Sequence, residues 1–386
     1  MTARRLGVGA ALVAGELLPG DVEVTDDRVT RVGLPPAAGG RVAAPGYIDL
    51  QVNGFAGVDV MGADEDGLRH VDCALAQHGV TSWLPTLITA SPAQVDRALG
   101  VLARHVGSAE RAGARPLGVH LEGPFLSPRR LGTHPAEHRL DPDPDLVRRW
   151  RASGPVVAAT VAPELPGALD LIRELSAGGV LVSLGHSDAT AEQAHAGFDA
   201  GARTVTHLFN AMSPLHHRAP GLPGAALARP DVVVQLVIDG HHLHDDAVRV
   251  AWAAALGRIV MVTDATAAAG LEDGSYALAG VPVEVCGGAV RNRDGALAGS
   301  ALSLDAAVRN AVALGADLAD TLCAVTEAPA RLLGRDDLGR LRPGGRADLV
   351  VLDDQARVVQ TWVNGNPTET GRPVTRHSDD VPEERP

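Results

Sequence analysis

Glu122, His186 and Asp264 each close a separate apolar run, PLGVHLE, GVLVSLGH and RIVMVTD, and His207 lies in a fourth, ARTVTHLF. One carboxylate and two imidazoles make a catalytic type of metal shell, three protein ligands with a position left for water. Such an ion lowers the pKa of water toward ~7, which makes hydroxide available at neutral pH. One divalent ion per subunit is therefore expected. Zinc suits the set, and so do iron(II), manganese and cobalt. Asp264 is the candidate general base, taking a proton from water and returning it to a leaving group. The plainer reading of Asp264 is a cap on the following turn. The plainer reading of each histidine, among 15 in the chain, is a packed or solvated side chain. Packing does not explain all four, one to a run.

These groups need elements that bring them to one place. Eight segments read as strands: 46–52, 81–87, 117–122, 156–162, 180–186, 203–209, 232–239 and 259–264. Helical segments separate them. In PGALDLIRELSAGG, Leu169, Ile172 and Leu175 share a face and the paired glycines stop the helix. DATAEQAHAGFDAG and HDDAVRVAWAAALG read the same way, with Asp188 and Asp245 placed to cap or charge-stabilise the helix starts. Alternating strands and helices give a parallel sheet, and eight units favour a closed (β/α)8 barrel, a TIM-like α/β fold. All strand ends then open on one face, where the active site lies. A doubly wound open sheet is the alternative, but the G-x-G-x-x-G phosphate turn is missing.

The chain has 386 residues, enough for a barrel of about 250 and a smaller companion. Residues 1–43 and 346–375 both read as short strands and turns, so we expect one small discontinuous β domain built from both ends. The barrel then spans 44–345, and 376–386 is a polar tail expected to be disordered. Residues 211–230 read as a long Pro/Gly loop, and 271–300 as hairpins inserted after the last strand. Helices resume over 302–334.

Composition narrows the function. Hydrophobic residues make up 45% and aromatics only 3%, so Val, Leu and Ala must fill the core. A net charge of −13 argues against nucleic acid or anionic membrane as a partner, and an anionic substrate would need a local cationic pocket. All 34 basic residues are arginine. Lysine Schiff bases and two-metal sites bridged by a carboxylated lysine are thereby excluded. Cys73, Cys286 and Cys323 stand far apart without a CxxC pair, which fits free thiols in a reducing cytosol. The N-terminal MTARRLGVGAALVAGELLPG imitates a secretory signal, but Glu16 interrupts it and a first strand is expected. No run approaches the ~20 apolar residues of a membrane span.

At HLEGPFLSPRRLGTHP, SLGHSDAT, THLFNAM and VTDAT the sequence resembles N-acetylglucosamine-6-phosphate deacetylases of the amidohydrolase superfamily. PGYIDLQVNGFAG and LAGS extend the resemblance over nearly the whole chain. It implies Glu122, His186 and His207 as metal ligands and Asp264 as general acid and base. His134, in GTHP, would polarise the acetyl carbonyl and stabilise its oxyanion. Asn210 and Ala211 would contact the sugar phosphate, joined by His242 and by Arg218, whose planar fork suits phosphate oxygens. HHR at 216–218 with His241 and His242 would form the cationic pocket. In related enzymes that arginine can reach the neighbouring subunit, which implies a homodimer.

One place departs from the wider superfamily. Many members carry His-x-His at the end of the first strand; here it reads Gln51-Val52-Asn53. A one-metal site follows, with Gln51 hydrogen-bonding near the catalytic water. The implied reaction is hydrolysis of N-acetylglucosamine 6-phosphate to glucosamine 6-phosphate and acetate in the cytoplasm. The galacto epimer is a close alternative. Another N-acyl amidohydrolase and a non-catalytic sugar-phosphate scaffold are more distant ones.

Overall fold

The computed structural model describes residues 3–108 and 113–368. Eight parallel strands follow one another in space as in sequence. They are β1 (Tyr47–Val52), β2 (Val80–Ile88), β3 (Val119–Glu122), β4 (Val156–Val161), β5 (Leu181–Leu184), β6 (Thr204–Val205), β7 (Val233–Leu236) and β8 (Ile259–Met261). The seam from β8 back to β1 is closed by a bridge between Val52 and Ala265. Buried Asp49 reinforces it, accepting from Thr263 Oγ1 at 2.7 Å and from the Thr263 backbone N–H at 3.2 Å.

Helices alternate with the strands because the sequence marks their starts and faces. Ser91 with Gln94 and Thr190 with Gln193 form capping boxes on the helices Pro92–Gly107 and Ala191–Asp199, each cap contributing about 1 kcal/mol. Helix Ala168–Ala177 buries Leu171, Ile172 and Leu175 and ends at Gly178, while Leu169 sits at the edge of that face. Asp188 is not a cap. Thr190 takes that role, and Asp188 pairs instead with Arg129 and Arg130. Asp245 does lie in the first turn of its helix, Asp245–Ala254, behind the capping residue His244.

Several strands are shorter than their apolar runs suggest, β5, β6, β7 and β8 most of all. His186, His207 and Asp264 have φ of 46°, 29° and 51°, in the left-handed region that breaks a ladder. Each therefore stands two or three residues past the end of its strand, at Leu184, Val205 and Met261. The 211–230 segment is also not all loop: Gly221–Ala228 is helical. Its Pro223 falls in the first turn, where proline needs no N–H partner, and Leu222, Ala225 and Ala226 are buried.

Both ends of the described chain share one six-stranded sheet. Its order is Asn366–Pro367, Val358–Val363, Leu349–Leu352, Val42–Pro45, Ala10–Val13 and Glu16–Pro19. A three-stranded sheet of Arg4–Arg5, Asp21–Thr25 and Arg28–Leu34 faces the same apolar cluster, which includes Val8, Val22, Val24, Val29, Leu349 and Trp362. The N-terminal run is thus strand, with Ala10–Val13 paired to Glu16–Pro19. The insert after β8 is a three-stranded antiparallel sheet, Gly274–Leu278, Val281–Cys286 and Ala289–Asn292. It packs against Ile88 at the end of β2. The expected tail at 376–386, and residues 369–375 of the expected small domain, lie outside the described residues.

Candidate active site

Strand pleating puts alternate residues on one face. In β3, Val119 and Leu121 therefore point away from the barrel axis, while His120 and Glu122 share the inner face. His120 donates or accepts at Thr86 (3.3 Å) and Thr160 (2.8 Å), and Thr160 continues to Thr206 and Ser183. The barrel interior below the site is thus a hydrogen-bonded polar chain rather than the Val, Leu and Ala filling that composition suggests. Those residues dominate the layer between strands and helices.

Above this chain, Glu122 Oε1, His186 Nε2 and His207 Nε2 converge. Their separations are 3.1 Å (Glu122–His207), 3.3 Å (Glu122–His186) and 3.0 Å (His186–His207). Ligands ~2.0–2.1 Å from a tetrahedral ion stand about 3.4 Å apart, so the spacing fits a divalent cation. His186 Nδ1 lies 2.9 Å from the Arg130 carbonyl oxygen, an acceptor only. Nδ1 therefore carries the proton, and the Nε2 lone pair faces the cluster. All three residues are buried. Burial pushes the Glu122 carboxyl up, but the adjoining His186 and His207 imidazoles outweigh it and hold it well below its ordinary value.

His134 is fixed from behind. The Thr89 backbone N–H donates to His134 Nδ1 at 3.2 Å, so Nδ1 is the unprotonated nitrogen and Nε2 bears the hydrogen. Nε2 points into the site, 3.8 Å from Glu122 Oε2. Burial, and then the charge of His186, lower the His134 pKa to about 3. It is a neutral donor aimed at the cluster.

Asp264 Oδ1 accepts from Asn53 Nδ2 at 2.7 Å and from Gln51 Nε2 at 2.9 Å. The same Gln51 Nε2 donates to Glu122 Oε1 at 2.9 Å. One amide thus spans the two carboxylates with its two hydrogens. Burial, followed by the charge of Glu122, raises Asp264 to about 6. A carboxylate so placed can accept and return a proton near neutrality.

A cavity of about 330 Å³ opens over this group. Asn210, Ala211 and His242 line it, as do Leu278 and Leu297 from the region of the insert. His242 Nδ1 is held at 2.7 Å by Asp239. Gln51 lies beneath, fully buried. Arg218 is not among the lining residues; it is exposed, with Nη1 2.8 Å from His217 Nε2. His216, His217 and His241 also stay out of the lining. Sequence reasoning missed Arg129 and Arg130, which do line the cavity. They sit in the quoted HLEGPFLSPRRLGTHP stretch between Glu122 and His134, so their position was available. It also missed Asp49 and Asn53, which the period-2 pattern of β1 aligns with Gln51.

A barrel that gathers a metal shell, a neutral donor and a poised carboxylate at its strand ends is the scaffold of a metal-assisted hydrolase. The chain belongs to the Amidohydrolase family, which residues 42–368 match. It is 44% identical over 330 residues to an N-acetylgalactosamine-6-phosphate deacetylase from Escherichia coli O157:H7, covering 83% of this chain and 86% of that one. It is 38% identical over 333 residues to an N-acetylglucosamine-6-phosphate deacetylase from Bacillus subtilis (strain 168), covering 84% of both. The structure of a mutant N-acetyl-D-glucosamine-6-phosphate deacetylase from Mycobacterium smegmatis, in complex with N-acetyl-D-glucosamine-6-phosphate, superposes with a TM-score of 0.89 at 35% identity. That match covers 96% of this chain and 100% of the other.

Proposed function

We propose that the protein hydrolyses the acetamide of N-acetylglucosamine 6-phosphate to glucosamine 6-phosphate and acetate. The observation that carries this is the facing pair of His134 and Asp264 around three convergent ligand atoms, in a chain whose deacetylase relatives match it over most of its length. Glu122, His186 and His207 would hold one divalent ion, with zinc as the proposed metal. Bound there, it would supply Lewis acidity and lower the pKa of water. Asp264 takes the proton from the attacking water. The His134 Nε2–H donates to the acetyl oxygen as negative charge develops on it. Asp264 then returns the proton to the departing amine. Gln51 and Asn53 keep the Asp264 carboxylate aimed throughout.

Asn210, Ala211 and His242 are the proposed sugar-phosphate contacts, and their binding energy positions the acetamide. Arg218 lies outside the cavity of its own protomer, so its phosphate contact requires a second copy. We propose a homodimer on that basis, in the cytoplasm. The two β sheets are proposed as one small domain split between 1–43 and 346–375, around a barrel of 44–345.

The galacto epimer is a second reading, favoured by the 44% identity to a galactosamine-type relative. Acetate release by metal-loaded protein from both phosphorylated epimers and from unphosphorylated N-acetylglucosamine tests the proposal. Faster release from the gluco phosphate supports it. Preference for the galacto phosphate moves the assignment to the epimer, and no release from any of the three removes it.

A further inference from the structure

An acidic chain that takes a phosphorylated sugar needs permanent positive charge at its cavity. Arg129 and Arg130 are the two arginines that line it. Both are anchored to one carboxylate. Asp188 receives Arg129 Nη1 at 3.2 Å, and Arg130 Nε and Nη2 at 2.8 and 2.7 Å.

Asp188 is itself on a fixed platform. Its backbone N–H and the Ser187 hydroxyl each donate to Glu164 at 2.7 Å. The Ser187 N–H donates to the Ala211 carbonyl at 3.1 Å, and the Ser213 N–H returns a bond to the Ser187 carbonyl at 3.0 Å. The anchor for both arginines is thus tied to the Asn210–Ala211 turn, and all four residues share the cavity lining with His242.

The two arginines differ. Arg130 is committed, with its guanidinium doubly bonded to Asp188 and its carbonyl orienting His186. Arg129 makes one bond to Asp188 and is 80% exposed. Its remaining N–H groups have no partner among the described residues. Two guanidiniums and one carboxylate leave a net positive charge at the rim.

We propose that Arg129 binds the substrate's phosphate from within the same protomer, with Arg130 and Asp188 as the positioning pair that holds it there. This rests on the reading that the substrate is phosphorylated. A guanidinium pairs two N–H groups with phosphate oxygens, so Arg129 can turn toward the ligand while Arg130 keeps Asp188 neutralised.

The test uses full-length, metal-loaded protein and the Arg129→Ala variant. Calorimetry measures binding of glucosamine 6-phosphate and of inorganic phosphate; steady-state assays use N-acetylglucosamine with and without the phosphate. Loss of one charge-assisted bond should weaken glucosamine 6-phosphate binding and raise KM for the phosphorylated substrate by about tenfold or more. kcat should change far less, as should kcat/KM for the unphosphorylated sugar. Metal content and Tm should match wild type, and Arg129→Lys should recover part of the loss. Unchanged Kd and KM in Arg129→Ala would overturn the inference, as would equal losses on both substrates or no anion binding by wild type. If wild type binds glucosamine 6-phosphate through Arg129 yet releases no acetate, the inference stands and the proposed reaction falls.

Discussion

The proton on His134 is placed by its neighbours rather than by pH. Thr89 occupies Nδ1 from the backbone, and burial keeps the ring neutral. Asp264 is the group proposed to move protons. Asp264→Asn should retain the metal and the fold while lowering kcat by about 10²–10⁴, the usual worth of a general acid–base group. Metal content by emission spectroscopy and turnover on the same sample check this. A kcat within threefold of wild type would exclude Asp264 from the role. Here Gln51 matters as more than a missing histidine. Its Nε2 bridges Glu122 and Asp264, so the first strand supplies a clamp where a second metal's ligands could have stood.

At the scale of elements, the seam between β8 and β1 is the weak point of the barrel and lies directly under the site. Asp49 spans it to both the hydroxyl and the N–H of Thr263, one residue before Asp264. Gln51 and Asn53 follow Asp49 at the period-2 spacing that keeps residues on one face. Asp49→Ala leaves buried donors unpaired, at about 1–3 kcal/mol for each. Stability in urea should fall by at least that of one donor, and kcat should fall with it because Gln51 and Asp264 lose their common support. Stability equal to wild type would show that the bridge from Val52 to Ala265 holds the seam alone. The left-handed residues tell the same story from another side. His186, His207 and Asp264 leave the ladder to reach the site, and the neighbouring paired strands hold them in that sparsely populated conformation.

At the scale of the molecule, the outer ring closes where the helix Leu304–Ala313 meets the end of Glu65–Gln77. Asp305 lies 3.0 Å from His78 Nδ1 and 2.6 Å from Arg309 Nη1. Burial alone would push the Asp305 carboxyl up; the hydrogen bonds from His78, Ser303 and Arg309 outweigh it and hold it well below its ordinary value. A folded-state pKa below the unfolded value, near ~3.9, stabilises the fold above that pH, and the contribution is lost as the pH falls below it. Wild type should therefore exceed Asp305→Asn in urea stability at pH 7, with the gap narrowing below about pH 4. A gap that stays constant from pH 7 to pH 3 would show that the charge of Asp305 is not what closes the ring.

Period, punctuation and residue type in the sequence determined the eight strands, the pairing of the two chain ends and the residues that converge at the strand ends, Glu122, His186, His207 and Asp264. They could do so because each signal is local: an apolar run ends at a polar residue of known chemistry. Where a feature depended on partners far along the chain, only the tertiary structure decided it. Asp188 reads as a helix cap from its neighbours, yet it faces Arg130, 58 residues away along the chain, and Arg129 beside it. The resemblance implies that Arg218 meets a phosphate, which in related enzymes can be a neighbouring subunit's, and only the structure places it outside the cavity of its own protomer, beyond the turn before the short helix Gly221–Ala228. The polar interior chain through His120, Thr160, Thr206 and Ser183 joins four strands, and no single strand announces it. A side chain's chemistry is written in its own residue, but the group it meets is set by closure of the barrel.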